Sequence, residues 1–156
     1  MKILLLVTGG RGGSDFFQGL LDSHTQILQF PGLLVHENIF EILTLKNPIE
    51  ISNRFISTYP NFFNSKLSTK LSNRERHDRL GPKKNKFYKV STSDFVKNFV
   101  HLFNEKRKPT KSDILKNLHI AYGITKEKKK LKKKIIFIHT HLVDFTRRFV
   151  KFMDMK

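Results

Sequence analysis

The stretch ILLLVTGGRGGSDFFQGLL, from Ile3 to Leu21, constrains the fold more than any other part of the chain. It passes from a short aliphatic segment, through a glycine-rich turn, into a helical apolar pattern. The five aliphatic residues Ile3 to Val7 suit a strand buried on both faces of a parallel sheet. Gly9, Gly10, Gly12 and Gly13 allow positive φ and let the backbone come close to a ligand. Arg11 sets a fixed fork of donors inside the turn, matched to a tetrahedral oxyanion. Ser14 can cap the following helix or donate its hydroxyl to an anion. Phe16, Phe17, Leu20 and Leu21 share one helical face, which is expected to turn towards the sheet. A strand that opens through glycines onto a helix presents outward amides at the positive end of the helix dipole. The segment therefore predicts a phosphate-binding or sulfate-binding loop. A plain strand-to-helix connection is the alternative.

Two nucleotide motifs do not fit. The Walker A pattern needs a lysine after its last glycine, and none stands between Gly13 and Ser14. The dinucleotide fingerprint G-x-G-x-x-G does not match glycines at 9, 10, 12 and 13, and no acidic residue follows at a strand end about 20 residues on. An ATPase and a dehydrogenase are disfavoured.

The segment GGRGGSDFFQGLLDSHTQILQFPG, Gly9 to Gly32, resembles the 5′-phosphosulfate loop and following helix of sulfotransferases. The bacterial form reads roughly G-x-x-R-S-G-S-x-hydrophobic-x-x-x-L-L-D-x-H. The loop, the helix and the trailing Leu21-Asp22-Ser23-His24 all agree with it. The resemblance implies a donor, 3′-phosphoadenosine 5′-phosphosulfate (PAPS), and a sulfonate transfer to a hydroxyl or amine. It makes Gly10, Arg11, Gly12, Gly13, Ser14, Asp15 and Phe16 the candidate cofactor-binding residues. Arg11 stands where many members carry a lysine that neutralises the bridging oxygen as sulfonate leaves. Asp15 departs from the pattern, since many members have a second hydroxyl there. A carboxylate beside a phosphate costs electrostatic energy unless it turns away to cap helix amides.

A second segment, KIIFIHTHLVDF from Lys134 to Phe145, supports the same reading. It is an apolar strand ending in His139-Thr140-His141-Leu142, followed by the start of a helix. Many sulfotransferases end a core strand with a K-T-H-L-like sequence whose histidine is the general base. His141 falls on that histidine, and His139 falls where the family often has a lysine. An imidazole titrates near working pH and can take the proton of an attacking hydroxyl. The carboxyl ends of parallel strands are also where open α/β sheets hold ligands. Strand alternation places His139 and His141 on one face. Two solvent histidines are the bland alternative. A zinc site is weak, because an i, i+2 pair lacks an obvious third ligand and the chain has no cysteine. No metal is required, since positioning and charge neutralisation carry such a reaction.

The expected fold is α/β, a three-layer type like that of P-loop NTPases, with a parallel sheet nucleated by residues 3–7 and 135–139. The 156 residues are expected to form one domain, with a basic helical and loop section at 66–134 inside it. In the family a further strand brings residues that grip the 3′-phosphate. No counterpart follows the expected helix Leu142 to Met153, so an incomplete or inactive sulfotransferase is kept as an alternative.

Charge is the other large constraint. The chain carries a formal +17, yet residues 1–65 hold four basic groups against five acids, so the excess belongs to the rest. KEKKKLKKK, Lys126 to Lys134, has seven lysines in nine residues. Such runs are usually solvated, and they can attract an anionic substrate or nucleic acid. A basic nucleic-acid-binding protein without catalysis is therefore the rival reading. The absence of cysteine suits a reducing cytoplasm. MKILLLV is too short for a signal-peptide core, and no apolar stretch nears the roughly 20 residues of a membrane span. The oligomeric state and the acceptor are not readable.

Between the two motifs the pattern is helical: His36 to Leu45, then Ile49 to Phe63, a helix capped by Ser93, and one opened by Ser112 and ending near Gly123. Leu67 to Val90 reads as a basic loop broken at Gly81-Pro82. Phenylalanines at these spacings are expected to be core. His24 is expected in a turn or capping role, while His36 and Glu37 are weaker candidates for the acceptor site.

Overall fold

The aliphatic run near the amino terminus forms strand β1, Lys2–Val7. The computed structural model describes residues 1–8, 13–22, 24–34, 36–67, 83, 85, 87–128, 131–140 and 143–153. A short strand β2, Ile27–Leu28, was not expected from the sequence, because two residues carry no alternation. Strand β3, Ile135–Thr140, lies between the other two and pairs parallel with both, giving the order β1-β3-β2. Its register against β1 runs from Lys2 beside Ile135 to Val7 beside Thr140. The protein is thus a mixed α/β fold on a small parallel sheet, as expected in its coarse form.

Alternation along β3 divides its contacts between two faces. Ile136 and Ile138 join a large helical core, together with Ile3 and Leu5 of β1. Phe137 and His139 face the other way, towards helix α1, Ser14–Leu21. Gly13 precedes α1 at φ 72, a left-handed value that a residue with a side chain adopts only under strain.

The apolar face of α1 does not turn to the sheet as expected. Phe16 is 74% exposed, Leu20 63% and Phe17 45%, and Leu21 is half-buried. The helix instead rests on the sheet through the edge of Phe17, whose ring centroid is 6.1 Å from that of Phe137, and through Gln18. Leu4, beside Phe137 in the register, is left 50% exposed on the same face, so β1 is not buried on both faces as its aliphatic run predicts. One short helix is too narrow to cover that face.

The opposite face carries the bulk of the helices. Helix α2 is His36–Thr44. Asn47 caps helix α3, Pro48–Thr58, by accepting from the Ile49 amide at 2.9 Å, and Pro48 occupies the first turn where its missing N–H costs nothing. The single apolar segment expected at 49–63 is therefore two helices, α3 and the one-turn α4, Pro60–Phe63, because Pro60 cannot continue α3. A 3₁₀ turn spans Ser65–Leu67.

Helix α5, Thr92–Asn104, is capped by Ser91 rather than Ser93, since it is the Ser91 hydroxyl that accepts from the Asp94 amide. Helix α6, Lys111–Glu127, begins with a reciprocal capping box between Thr110 and Asp113, so the cap is Thr110 and not Ser112. It also runs four residues past Gly123. That glycine marks close packing rather than a helix end: a Cβ there would lie 2.6 Å from Leu28 Cδ1 and 2.9 Å from Leu131 Cδ1. Helix α7, Val143–Phe152, follows β3.

Most phenylalanines of the helical region lie in the core, as their spacing implies, while Phe16, Phe17 and Phe87 are exposed. Phe55 is fully buried, with ring centroids 5.1 Å from Phe30, 5.8 Å from Phe95 and 6.2 Å from Phe63. Such tilted and offset pairs add stabilisation beyond the area they bury. No helix among the described residues is long and apolar enough to cross a membrane.

Candidate functional site at the carboxyl edge of the sheet

Parallel strands emit their carboxyl ends on one edge, and both sequence motifs leave the sheet there. The Thr8 amide donates to the Thr140 carbonyl oxygen at 3.1 Å, continuing the ladder beyond Val7. Thr8 is one residue before Gly9, and Thr140 is one residue before His141. Thr8 Oγ1 and Thr140 Oγ1 are both buried and have no hydrogen-bond partner among the described residues. A buried hydroxyl without a partner is costly, and these two stand at the carboxyl ends of neighbouring strands, on opposite faces of the sheet by the alternation of β1 and β3.

Gly13 and α1 supply the second half. Having no side chain, Gly13 leaves the first-turn amides of α1 without a cap from its own position, at the positive end of the helix dipole. Nothing lies within 4 Å of where its Cβ would be, so positive φ rather than crowding is what favours glycine there. Amides and hydroxyls of this kind suit an oxyanion. Among the other candidates, Gly10, Arg11, Gly12 and His141 lie outside the described residues. Ser14 and Asp15 are described in their backbone, at the start of α1, and Phe16 follows with its ring in solvent.

His139 is only 4% exposed and is held on the α1 side of β3. Its Nδ1 lies 2.9 Å from Gln18 Oε1. Gln18 is fixed in turn: its Nε2 donates to the Phe30 carbonyl at 2.8 Å, and its own carbonyl accepts from Gln29 Nε2 at 2.9 Å. Sequence reasoning missed Gln18. An isolated glutamine in a helix carries no signal until the fold shows what it faces.

A second buried histidine, His119, shares a cavity of about 10 Å³ with His139, lined also by Gln18, Phe30 and Leu34. That volume is about one water molecule. His119 Nδ1 donates to the Leu115 carbonyl at 2.8 Å, and its Nε2 has no partner among the described residues. Burial lowers its pKa to about 4, against a smaller upward pull from the Leu115 hydrogen bond. His119 was not singled out in the sequence, where it looks like one more residue of a core helix.

No protein-family model matches this chain, and no curated protein or solved structure matches it. The site therefore stands on its own geometry.

Other expected features fall elsewhere. His24 takes the turn role: its Nδ1 accepts from the Gln26 amide at 3.1 Å. The side chains of His36 and Glu37 lie outside the described residues. The carboxyl end of the lysine run sits at the amino end of β3, beside a hollow of about 520 Å³ lined by Asp22, Tyr122, Lys126, Lys132 and Lys133. Charge there is partly balanced, with Lys126 3.8 Å from Asp22 and Lys133 3.1 Å from Glu127. That hollow is at the opposite sheet edge from Thr8 and Thr140.

Proposed function

We propose that the chain is a sulfotransferase-like protein, of a P-loop-like α/β type, that moves sulfonate from PAPS to a hydroxyl or amine acceptor. The observation that carries this reading is the pairing of Thr8 with Thr140. It brings the exits of β1 and β3 side by side, one leading into the glycine-arginine loop and the other into His141.

PAPS supplies an activated sulfonate when bound. The α1 first-turn amides and the Ser14 hydroxyl would hold its 5′-phosphosulfate. Arg11 would neutralise the charge that grows on the bridging oxygen, as a planar donor fork suits a phosphate edge. His141 would take the proton from the acceptor, with His139 as a helper. The basic excess of residues 66–156 would draw anionic substrates towards the protein. A chain without cysteine fits a reducing cytoplasm.

The test is incubation with PAPS and a panel of phenols, sugars and amines, followed by mass spectrometry. The reading expects a sulfonated product that Arg11→Ala and His141→Ala both suppress. Product formation that survives both substitutions would refute the assignment of these residues.

A further inference from the structure

We propose that the outer edge of β1 is a self-pairing surface. Two copies of the chain join there antiparallel, about a two-fold axis at Leu5, and make one continuous sheet of their two. The inference does not depend on the sulfotransferase reading.

The backbone of β1 sets the surface. The Lys2 amide donates to the Lys134 carbonyl at 3.0 Å, and the Thr8 amide donates to the Thr140 carbonyl at 3.1 Å. Backbone groups alternate sides along a strand. Those of Leu4 and Leu6 therefore also point to β3, and those of Ile3, Leu5 and Val7 point away from it. β1 stands at the end of the strand order β1-β3-β2. Among the described residues, nothing accepts from the Ile3, Leu5 and Val7 amides or donates to their carbonyls. Sheet edges are commonly blunted by a proline, a bulge or a charge. Ile3 to Val7 contains no proline and no charge, and the register against β3 is unbroken.

The strand fits a second copy of itself. Two identical edges close on each other only about a two-fold axis, which for strands means antiparallel pairing. With the axis at Leu5, Leu5 stands opposite its own copy and Ile3 stands opposite the partner's Val7. Outward groups then meet outward groups, so each open amide and carbonyl gains a partner. On the α1 face, Leu4 meets the partner's Leu6, and its exposed side chain is covered. Charge permits this contact. Residues 1–65 hold four basic groups against five acids, so the large positive excess lies elsewhere in the chain. Lys2 stands opposite the partner's Thr8. The two Lys2 residues are then about 20 Å apart at ~3.4 Å per residue, beyond the Debye length of ~8 Å at physiological salt.

The test is sedimentation equilibrium of the full chain at physiological ionic strength over a range of concentrations. The expected mass rises from 18.3 kDa to a plateau at twice that value. Leu4 lies diagonal to its own copy across the axis, at about 7–8 Å. Leu4→Lys and Leu4→Glu, each checked for folding by circular dichroism, are therefore expected to be monomers, and their equal mixture to restore the dimer. Leu4→Cys mixed with Leu6→Cys is expected to cross-link on oxidation. Directly opposed residues lie within disulfide reach, and the chain has no other cysteine. A wild type that keeps the mass of one chain throughout would overturn the proposal and leave the edge to a strand of another protein. A dimer that both charged variants retain would overturn it too, as would a mass that climbs without a plateau. Should a Leu4 charge variant not fold, the wild-type mass and the cysteine cross-link still decide. Failure of PAPS to bind would leave these masses unaffected.

Discussion

Tyr122 donates its buried hydroxyl to the Phe62 carbonyl oxygen at 2.7 Å, joining α6 to α4 across 60 residues of chain. Burial first, then the neighbouring Tyr88, holds the phenol well above its usual pKa, so it remains a donor throughout the physiological range. Tyr122→Phe keeps the ring among its aromatic neighbours and removes the hydroxyl, with its bond to the Phe62 carbonyl and its interaction with Tyr88. The expected cost is about 1–3 kcal/mol, because a buried carbonyl loses its partner. A lower urea midpoint with an unchanged slope would check it, and an unchanged midpoint would contradict it.

His119 gives the fold a defined acid sensitivity. The folded protein protonates it near pH 4, while an unfolded histidine takes its proton near pH 6.5. Above pH 6.5 both states are neutral and the group contributes nothing to the pH dependence. As pH falls from 6.5 to 4, the unfolded chain binds the proton first, and stability declines by about 3 kcal/mol before levelling off. Urea midpoints measured across this window should decline in the wild type and decline less steeply in His119→Leu. Parallel curves for the two proteins would show that another group is responsible.

Phe16 and Leu20 test the placement of the α1 apolar face. Because both side chains are mostly in solvent, Phe16→Ser and Leu20→Lys are expected to change stability by less than about 0.5 kcal/mol each. Solubility should rise, since a contiguous exposed apolar patch favours self-association. A loss of several kcal/mol would mean that this face packs against the protein after all.

The strong periodic signals were legible in the sequence. Five aliphatic residues announced β1, and KIIFIHT announced β3, because each is a run of apolar residues rich in β-branched side chains and long enough for a strand. The phenylalanine stripes reported the core through their helical spacing. Features that depend on partners were not legible. Gly123 looks like a helix end until Leu28 and Leu131 are seen against it. The face of α1 looks core-bound until the width of the sheet is known. Ser93 and Ser112 look like caps as much as Ser91 and Thr110 do, and only the amide each hydroxyl reaches decides between them. At the candidate site, the two strands that lead to the glycine-rich segment and to His141 could be read from residue types, while residues 9–12 and His141 lie outside the described residues. Gln18, Thr8 and Thr140 could not, since their roles arise from what stands opposite.

Calorimetric titration with 3′-phosphoadenosine 5′-phosphate tests the central claim most directly, run on the wild type beside Arg11→Ala and Ser14→Ala. The account predicts saturable binding that both substitutions weaken. Absence of binding by the folded chain would contradict it. So would binding that Arg11→Ala leaves untouched and moderate salt abolishes, which is the signature of the lysine runs rather than of the loop.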